Sequence, residues 1–598
     1  MGEESDRFGA VVHAAGPEVG EALLALDQAT PDNGPRPLFN EESLAAAVVD
    51  RHGRVIASSP AFAALEADLS LDTELLDRVA SGRGGRTTLH GVVNGDATET
   101  TLCAYAPASG VDRWILPRQV RAAAAASPEA VVVLTSQSHR AERPLEAACS
   151  AFGLSGLQTR VALAAVRTGS VRTAARRLGI SYDTAREAIA EAMERARAPR
   201  LAALVHRLVS LAFGVLPQAD GGDVLGDAWG LSARQAAIAA LIADGMTRID
   251  VAGALGLSDA VVQKELKEVY RLLDVGSAAA LARKVAEANA LGWMTRSTAG
   301  DIGLIEAGAE PLRFVHRPDG RRIAVSDYGP ASGRAVLVVH SSMTSRVVAR
   351  SLRRALQAAG YRPISIDRPG FGLTDEVAGL RAGAHDPYAA AAVDALLVLD
   401  ALKLEAIDVV ARGGAQFAVA LHQVAPSRLR RVVLVNPDPP SEVSGDGAGP
   451  FGAIKTAFLR NPAMIRIWAG VIGRQLTHER LSQMMERWMR GSPPDEAAAR
   501  DPDLVDDYFR AVRTFATGRH AGYVNEQVHF AQRGLHVPAV AGTSDWRVLV
   551  AGHDTLHDPD RVLDYWRTVL PDARFQRVPD SGRFLALTHP QEVINALR

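Results

Sequence analysis

Residues 407–426 read IDVVARGGAQFAVALHQVAP. The β-branched run that opens this stretch predicts a buried strand, and the alanine-rich segment after the glycines predicts a helix. Between them lies a bend of small residues, Ala411-Arg412-Gly413-Gly414-Ala415. A strand that turns sharply into a helix lifts the residue at its apex out of the sheet and exposes it. The apex residue is Gly413, which has no side chain to expose. What the bend does therefore depends on what surrounds it.

The chain has 598 residues, enough for roughly three to five domains. A net charge of −2 gives no global field that would mark a nucleic-acid or membrane partner. The start, MGEESDRFGA, is acidic and without an apolar core, unlike a secretory leader. No apolar run reaches the ~18–20 residues that span a bilayer, so no membrane partner and a cytoplasmic location are expected. Cys103 and Cys149 have no metal or disulfide spacing and read as buried small hydrophobes. No metal and no cofactor are expected.

Outward from the bend, residues 310–598 alternate strands (RIAVSDYG, AVLVVHSS, YRPISID, LRRVVLVNP) with helices (RVVARSLRRALQAAG, PYAAAAVDALLVLDALKL). That alternation predicts a mostly parallel, doubly wound sheet. Residues 448–530 read as a helical cap carrying Phe451, Phe458, Trp468, Trp488, Tyr508, Phe509, Phe515 and Tyr523. IDRPGFGLTD (366–375) and VVHSS (338–342) make residues 310–598 resemble the α/β-hydrolase fold. The resemblance puts the oxyanion loop at His340-Ser341 and the nucleophile at Gly413. It puts the base at Arg583, in VPDSGRFLALTHP, and the orienting acid at Asp545, which follows the apolar run VPAVA. Glycine offers no nucleophile, and arginine stays protonated at any working pH. The expectation is a degenerate triad at Gly413, Asp545 and Arg583, with no catalytic residue and no enzyme activity. The bend would then hold a small organic ligand, plausibly anionic, among His340, Ser341, Arg412, Gly413, Gly414, Asp545, Trp546 and Arg583. Two alternatives stand beside it: Arg583 pairs with Asp545 and fills the site, or Asp545, His340 and a bound water carry a chemistry without a triad.

The first half divides into a helical extension at 1–37, an α+β segment at 38–142, two all-α segments at 150–215 and 225–292, and a linker at 293–309. Residues 38–142 resemble a PAS sensor or dimerisation domain, with a hairpin, a short helix and further strands at TTLHGVV, TTLCAYA, RWILP and AVVVLTS. LSGLQTRVALAAVRTGSVRTAARRLGIS (154–181) and LSARQAAIAALIADGMTRIDVAGALGLS (231–258) are copies of one pattern, helix, helix, glycine turn, helix. The second resembles the LuxR-type helix-turn-helix domain; the first is a degenerate copy. In that family the helix after Ser258 enters the major groove. The resemblance implies DNA contacts from Ser258, Val262, Gln263, Lys264, Lys267 and Arg271, with Arg186 in the first copy. It implies a one-component transcription regulator, acting as a homodimer on DNA, with RNA polymerase as a further partner. A scaffold that does not bind DNA is the competing class, suggested by Asp183, Glu187 and Glu265 on the same helices.

Overall fold

The structure is a computed structural model. It describes residues 39–66, 69–83, 87–93, 100–112, 114–135, 142–214, 222–296, 304–305, 310–377, 386–440, 465–466, 469–470, 473, 476–533, 537, 539–554 and 557–598. The expected N-terminal helix, most of the linker, and Phe451, Phe458 and Trp468 lie outside the described residues. The chain forms two compact units. One runs from Arg36 to Glu310; the other takes in Pro311–Arg598.

The first unit begins with a five-stranded antiparallel sheet. Its strands lie in the order Val55–Ser58, Ala45–Val49, Val131–Thr135, Thr100–Pro107, Thr88–Val93. Ala45, Ala47, Val49, Tyr105 and Val133 point to one face and pack on Phe62, Leu75 and Leu76 of short helices. Cys103 and Cys149 are both buried, which pushes their thiols up to about 11 and about 12. Residues 114–117 of RWILP do not form the expected strand. Pro117 has no N–H for a ladder, and the Ile115 amide donates to Met294 O at 2.9 Å, in a long helix downstream. Arg118–Ala126 then forms a helix.

Among the described residues ten helices follow, eight of them in two sets of four. The first set is Gly156–Thr168, Val171–Leu178, Tyr182–Arg195 and Leu201–Ala212; the second is Ala233–Ala243, Arg248–Leu255, Asp259–Leu272 and Ala278–Arg296. The repeated Leu-Ser-x-x-Gln opening has a local cause. Ser155 and Gln158, and likewise Ser232 and Gln235, form reciprocal capping boxes that satisfy helix-end amides. Each glutamine then reaches the third helix of its own set, Gln158 to Glu191 and Gln235 to Glu265.

In the second unit we number the sheet strands β1 (Arg313–His316), β2 (Arg322–Asp327), β3 (Arg334–Val339), β4 (Tyr361–Ile366), β5 (Ile407–Arg412), β6 (Leu429–Val435), β7 (Trp546–Ala551) and β8 (Arg574–Val578). Their order is β8-β7-β6-β5-β3-β4-β2-β1, parallel from β8 to β4 and antiparallel where β2 joins β4 and β1. The buried stretches of β3, β5 and β6 (335–339, 409–411 and 432–435) are apolar because both faces are covered. Between β6 and β7 the chain inserts helices His478–Trp488, Pro493–Arg500, Pro502–Ala516 and Ala521–Arg533. Phe509, Phe515 and Tyr523 are buried there as core.

IDRPGFGLTD is the clamp between sheet and insert. Asp367 accepts from the Arg346 amide and guanidinium and from the Leu373 amide, at 2.7, 2.8 and 2.9 Å. Gly372 has φ +48°, and a Cβ on it would collide with the Asp367 carboxylate. Arg368 makes a fork-to-fork pair with Glu526 of the insert, at 2.6 and 2.9 Å, both side chains 3 % exposed or less. Taking away one partner leaves a buried charge uncompensated, which costs about 3–5 kcal/mol. Glu526→Ala is therefore expected to lower the urea midpoint of this unit by a stability loss of that size. An unchanged midpoint would show that the clamp contributes nothing.

Candidate active site at the Gly413 bend

The site lies where parallel strands end, because loops leaving neighbouring C-terminal ends converge there. Gly413 follows β5 with φ +67°, a left-handed conformation that glycine adopts without strain. Gly414 caps the helix Ala415–Val424, and no side chain caps it in addition. A Cβ on Gly414 would stand 2.9 Å from Val339 Cγ1 of β3, so the close packing of strand and helix requires glycine here.

The bend is not bare. A Cβ on Gly413 would meet Asp438 Oδ2 at 3.2 Å and Ser341 Cβ at 3.7 Å. Asp438 comes from the loop after β6, and its other oxygen, Oδ1, lies 3.3 Å from His557 Nε2. His557 is 8 % exposed and comes from the loop after β7. Its amide donates to Asp554 Oδ1 at 3.3 Å, and the same oxygen lies 3.6 Å from Arg583 Nη1. Ser341 shares a hydroxyl contact of 3.0 Å with Thr344.

The loop carrying Arg583 is held from two sides. Asn436, itself left-handed at φ +46°, donates through Nδ2 to Gly582 O and Arg583 O and accepts the Ala551 amide at 2.8 Å. Buried Asp495 of the insert accepts the amides of Arg583 and Phe584 at 2.9 and 3.2 Å. Burial raises the Asp495 carboxyl above its ordinary value. A side chain on Gly582 would run into that carboxylate, which explains the glycine in DSGRF.

Several expected site residues lie elsewhere. Asp545 precedes β7 at the opposite end of the sheet, is 68 % exposed, and lies 3.8 Å from Arg431. Of VPAVA, the described residues 537 and 539–541 form no strand; the longer β-branched run WRVLVA does. The carboxylate that does follow the next-to-last strand is Asp554, in AGHDTLHD. Arg583 pairs with Asp554, so the expected pairing with Asp545 is corrected. Trp546 opens β7 and is buried against His422, with ring centroids 5.4 Å apart, well away from the bend. His340 is beside the bend but committed. Its Nδ1–H donates to Ser341 O at 2.8 Å, and its Nε2 accepts the Arg368 amide at 3.2 Å. Burial and the nearby Arg368 cation hold it well below the ordinary imidazole value, so it stays neutral and has no free nitrogen. Arg412 lines a small cavity with Val338, His340, Thr344, Ser345 and Ser365. Burial lowers its guanidinium, and no described carboxylate lies within ion-pair distance. Asp438, Asp554 and His557 were missed because each is set by a loop, and no local spacing links them.

In the helical part, Gln263, Lys264 and Lys267 are exposed on Asp259–Leu272, and Arg186 is exposed on Tyr182–Arg195. Val262 is not a contact residue. It is fully buried, on the face that packs this helix inward. Ser258 Oγ accepts the Val261 amide as a helix cap. Arg271 is tied to Glu268, and Arg186 lies 3.8 Å from Asp183. Glu265 is turned back onto Gln235.

A family model described as the alpha/beta hydrolase fold matches residues 334–590. No curated protein matches the chain. Solved structures similar to it include a hydrolase from Pseudomonas aeruginosa, 19 % identical, covering 48 % of this chain and 96 % of that one, TM-score 0.34. Epoxide hydrolases from metagenomes of hot environments are also 19 % identical, with the same coverages and a TM-score of 0.35. A carboxylesterase from Bacillus subtilis is 16 % identical, covering 48 % and 90 %, TM-score 0.33. The expectation of no enzyme activity is corrected: the matched family model is that of a hydrolase fold, and a carboxylate, Asp438, and an imidazole, His557, stand at the bend.

Two outcomes check this geometry. The His340 imidazole should show no NMR transition between about pH 5 and 8, where free imidazole titrates. Asp554→Asn should loosen the Arg583 loop, read as faster amide exchange at Arg583 and Phe584, whereas Asp545→Asn should leave it unchanged. The unit from Pro311 to Arg598 has the α/β-hydrolase fold.

Proposed function

We propose that the chain is a DNA-binding regulator whose hydrolase-fold unit acts on a small organic molecule through a carboxylate–imidazole pair instead of a serine. One observation carries the reading: Asp438 Oδ2 stands 3.2 Å from where a side chain on Gly413 would begin, with His557 3.3 Å from its other oxygen. In this reading a water beside Gly413 is deprotonated by the Asp438–His557 pair and attacks an electrophilic carbon. Charge developing on the substrate oxygen is met by the amides at the start of Ala415–Val424, which no side chain caps. The proton then returns from the pair to the leaving oxygen. Arg412 and Arg583 favour a substrate with an anionic or carbonyl group. No covalent enzyme intermediate forms.

The test is hydrolysis of p-nitrophenyl esters by the full chain. Turnover is expected to survive a fluorophosphonate and to fall by about 100-fold or more in Asp438→Asn and in His557→Gln. A product burst abolished by the fluorophosphonate would overturn the reading.

The regulator half of the proposal draws on the helix-turn-helix pattern and its exposed Gln263, Lys264, Lys267 and Arg186. In this reading the antiparallel sheet before it serves as a PAS-like module, and substrate occupancy is the signal. DNA affinity of the full chain should fall with salt, and Lys264→Ala should reduce the salt slope by about 1.

A further inference from the structure

The two four-helix sets do not merely repeat; they embrace each other reciprocally. The offset that aligns Ser155 with Ser232 also aligns Ser181 with Ser258 and Ala203 with Ala280. At the first turn of set one, a Cβ on Gly169 would meet Ala280 Cβ at 3.2 Å and Ser277 Oγ at 2.8 Å. At the matching turn of set two the glycine stands one position before the residue aligned with Gly169, and a Cβ on Gly245 would meet Ala203 Cβ at 2.9 Å and Pro199 Cγ at 3.0 Å. Each set's turn glycine therefore seats the other set's fourth helix, at equivalent alanines. Ser277 Oγ also donates to Gly169 O at 2.9 Å, and His206 Nδ1 lies 2.9 Å from Asp244 Oδ1, so polar links cross in both directions. The fourth helices, Leu201–Ala212 and Ala278–Arg296, pack along one another through alanine, leucine and valine. Residue i meeting j while the equivalent of j meets the equivalent of i is the signature of a two-fold interface. Here both halves belong to one chain.

The exposed faces of the two third helices are not equivalent. Arg186 in set one stands where set two has Gln263, and Glu187 where set two has Lys264. Set one adds exposed Arg172, Arg176 and Arg177 on its second helix, where set two has Ile249, Gly253 and Ala254. Set one thus has exposed cations on its second helix and at Arg186 of its third, whereas in set two Lys264 and Lys267 of the third helix join Arg248 of the second.

We infer that one chain carries both readers of a paired DNA site, and that a single molecule occupies two unlike half-sites on one duplex. The inference rests on the DNA-binding reading above and deepens it: pairing is supplied inside the chain, not by a homodimer.

The experiment uses the full chain and a duplex enriched by it from a random-sequence pool. Sedimentation is expected to show one 63.4 kDa chain per duplex. Hydroxyl-radical footprinting should show two protected patches, with Arg186→Ala losing one and Lys264→Ala the other. Two chains per duplex, or loss of both patches together in Lys264→Ala, would overturn the inference while leaving DNA binding intact. Failure to enrich any duplex would overturn the DNA-binding reading and the inference with it.

Discussion

Everything at the bend follows from one close approach. The helix after β5 starts so near β3 that Gly414 has 2.9 Å between a would-be Cβ and Val339. With strand and helix locked at that distance, the preceding residue is forced into a left-handed conformation at φ +67° and thrust toward the loops of β3 and β6. A side chain at that apex would be presented to a ligand. Glycine leaves the space to its neighbours, and Asp438 moves its carboxylate to the edge of it. The site thus keeps the geometry of an exposed apex, while the carboxylate beside it comes from the loop of a different strand.

Buried charge holds the surroundings in place. Arg368 with Glu526, Arg346 with Asp367, and Asp495 with the Arg583 loop each tie an element at the sheet's C-terminal end to a neighbour. Burying such groups is costly unless each is fully hydrogen-bonded, and these are paired through two or more contacts. The consequence is an insert fixed over the site by polar contacts of defined geometry. His340 shows the same economy of roles: with both ring nitrogens occupied and its proton affinity suppressed, it is a strut between the β3 loop and Arg368.

The helical part uses duplication differently. A capping glutamine that also reaches a third-helix glutamate appears in both sets, so each set has the same internal wiring. What diverged is the outer surface, where arginines in one set face lysines and glutamine in the other. A fused pair can diverge in this way because its two halves are encoded separately, whereas a homodimer must change both at once.

Much of this was legible from residues in order. Alternating strand and helix patterns, the strand–bend–helix at Gly413, the capping openings of the two repeats and the insert before β7 all rest on local periodicity and turn chemistry, which act within a few residues. The acid was misplaced because two apolar runs, VPAVA and WRVLVA, compete for one strand, and only pairing against β6 and β8 decides between them. Asp438 beside Gly413, His557 beside Asp438, and Gly169 beneath Ala280 are contacts between residues far apart in the chain. Sequence by itself determined which elements form and that the apex lacks a side chain. Tertiary structure alone decided which distant carboxylate and imidazole fill the space, because convergence of loops is set by sheet order and not by spacing along the chain.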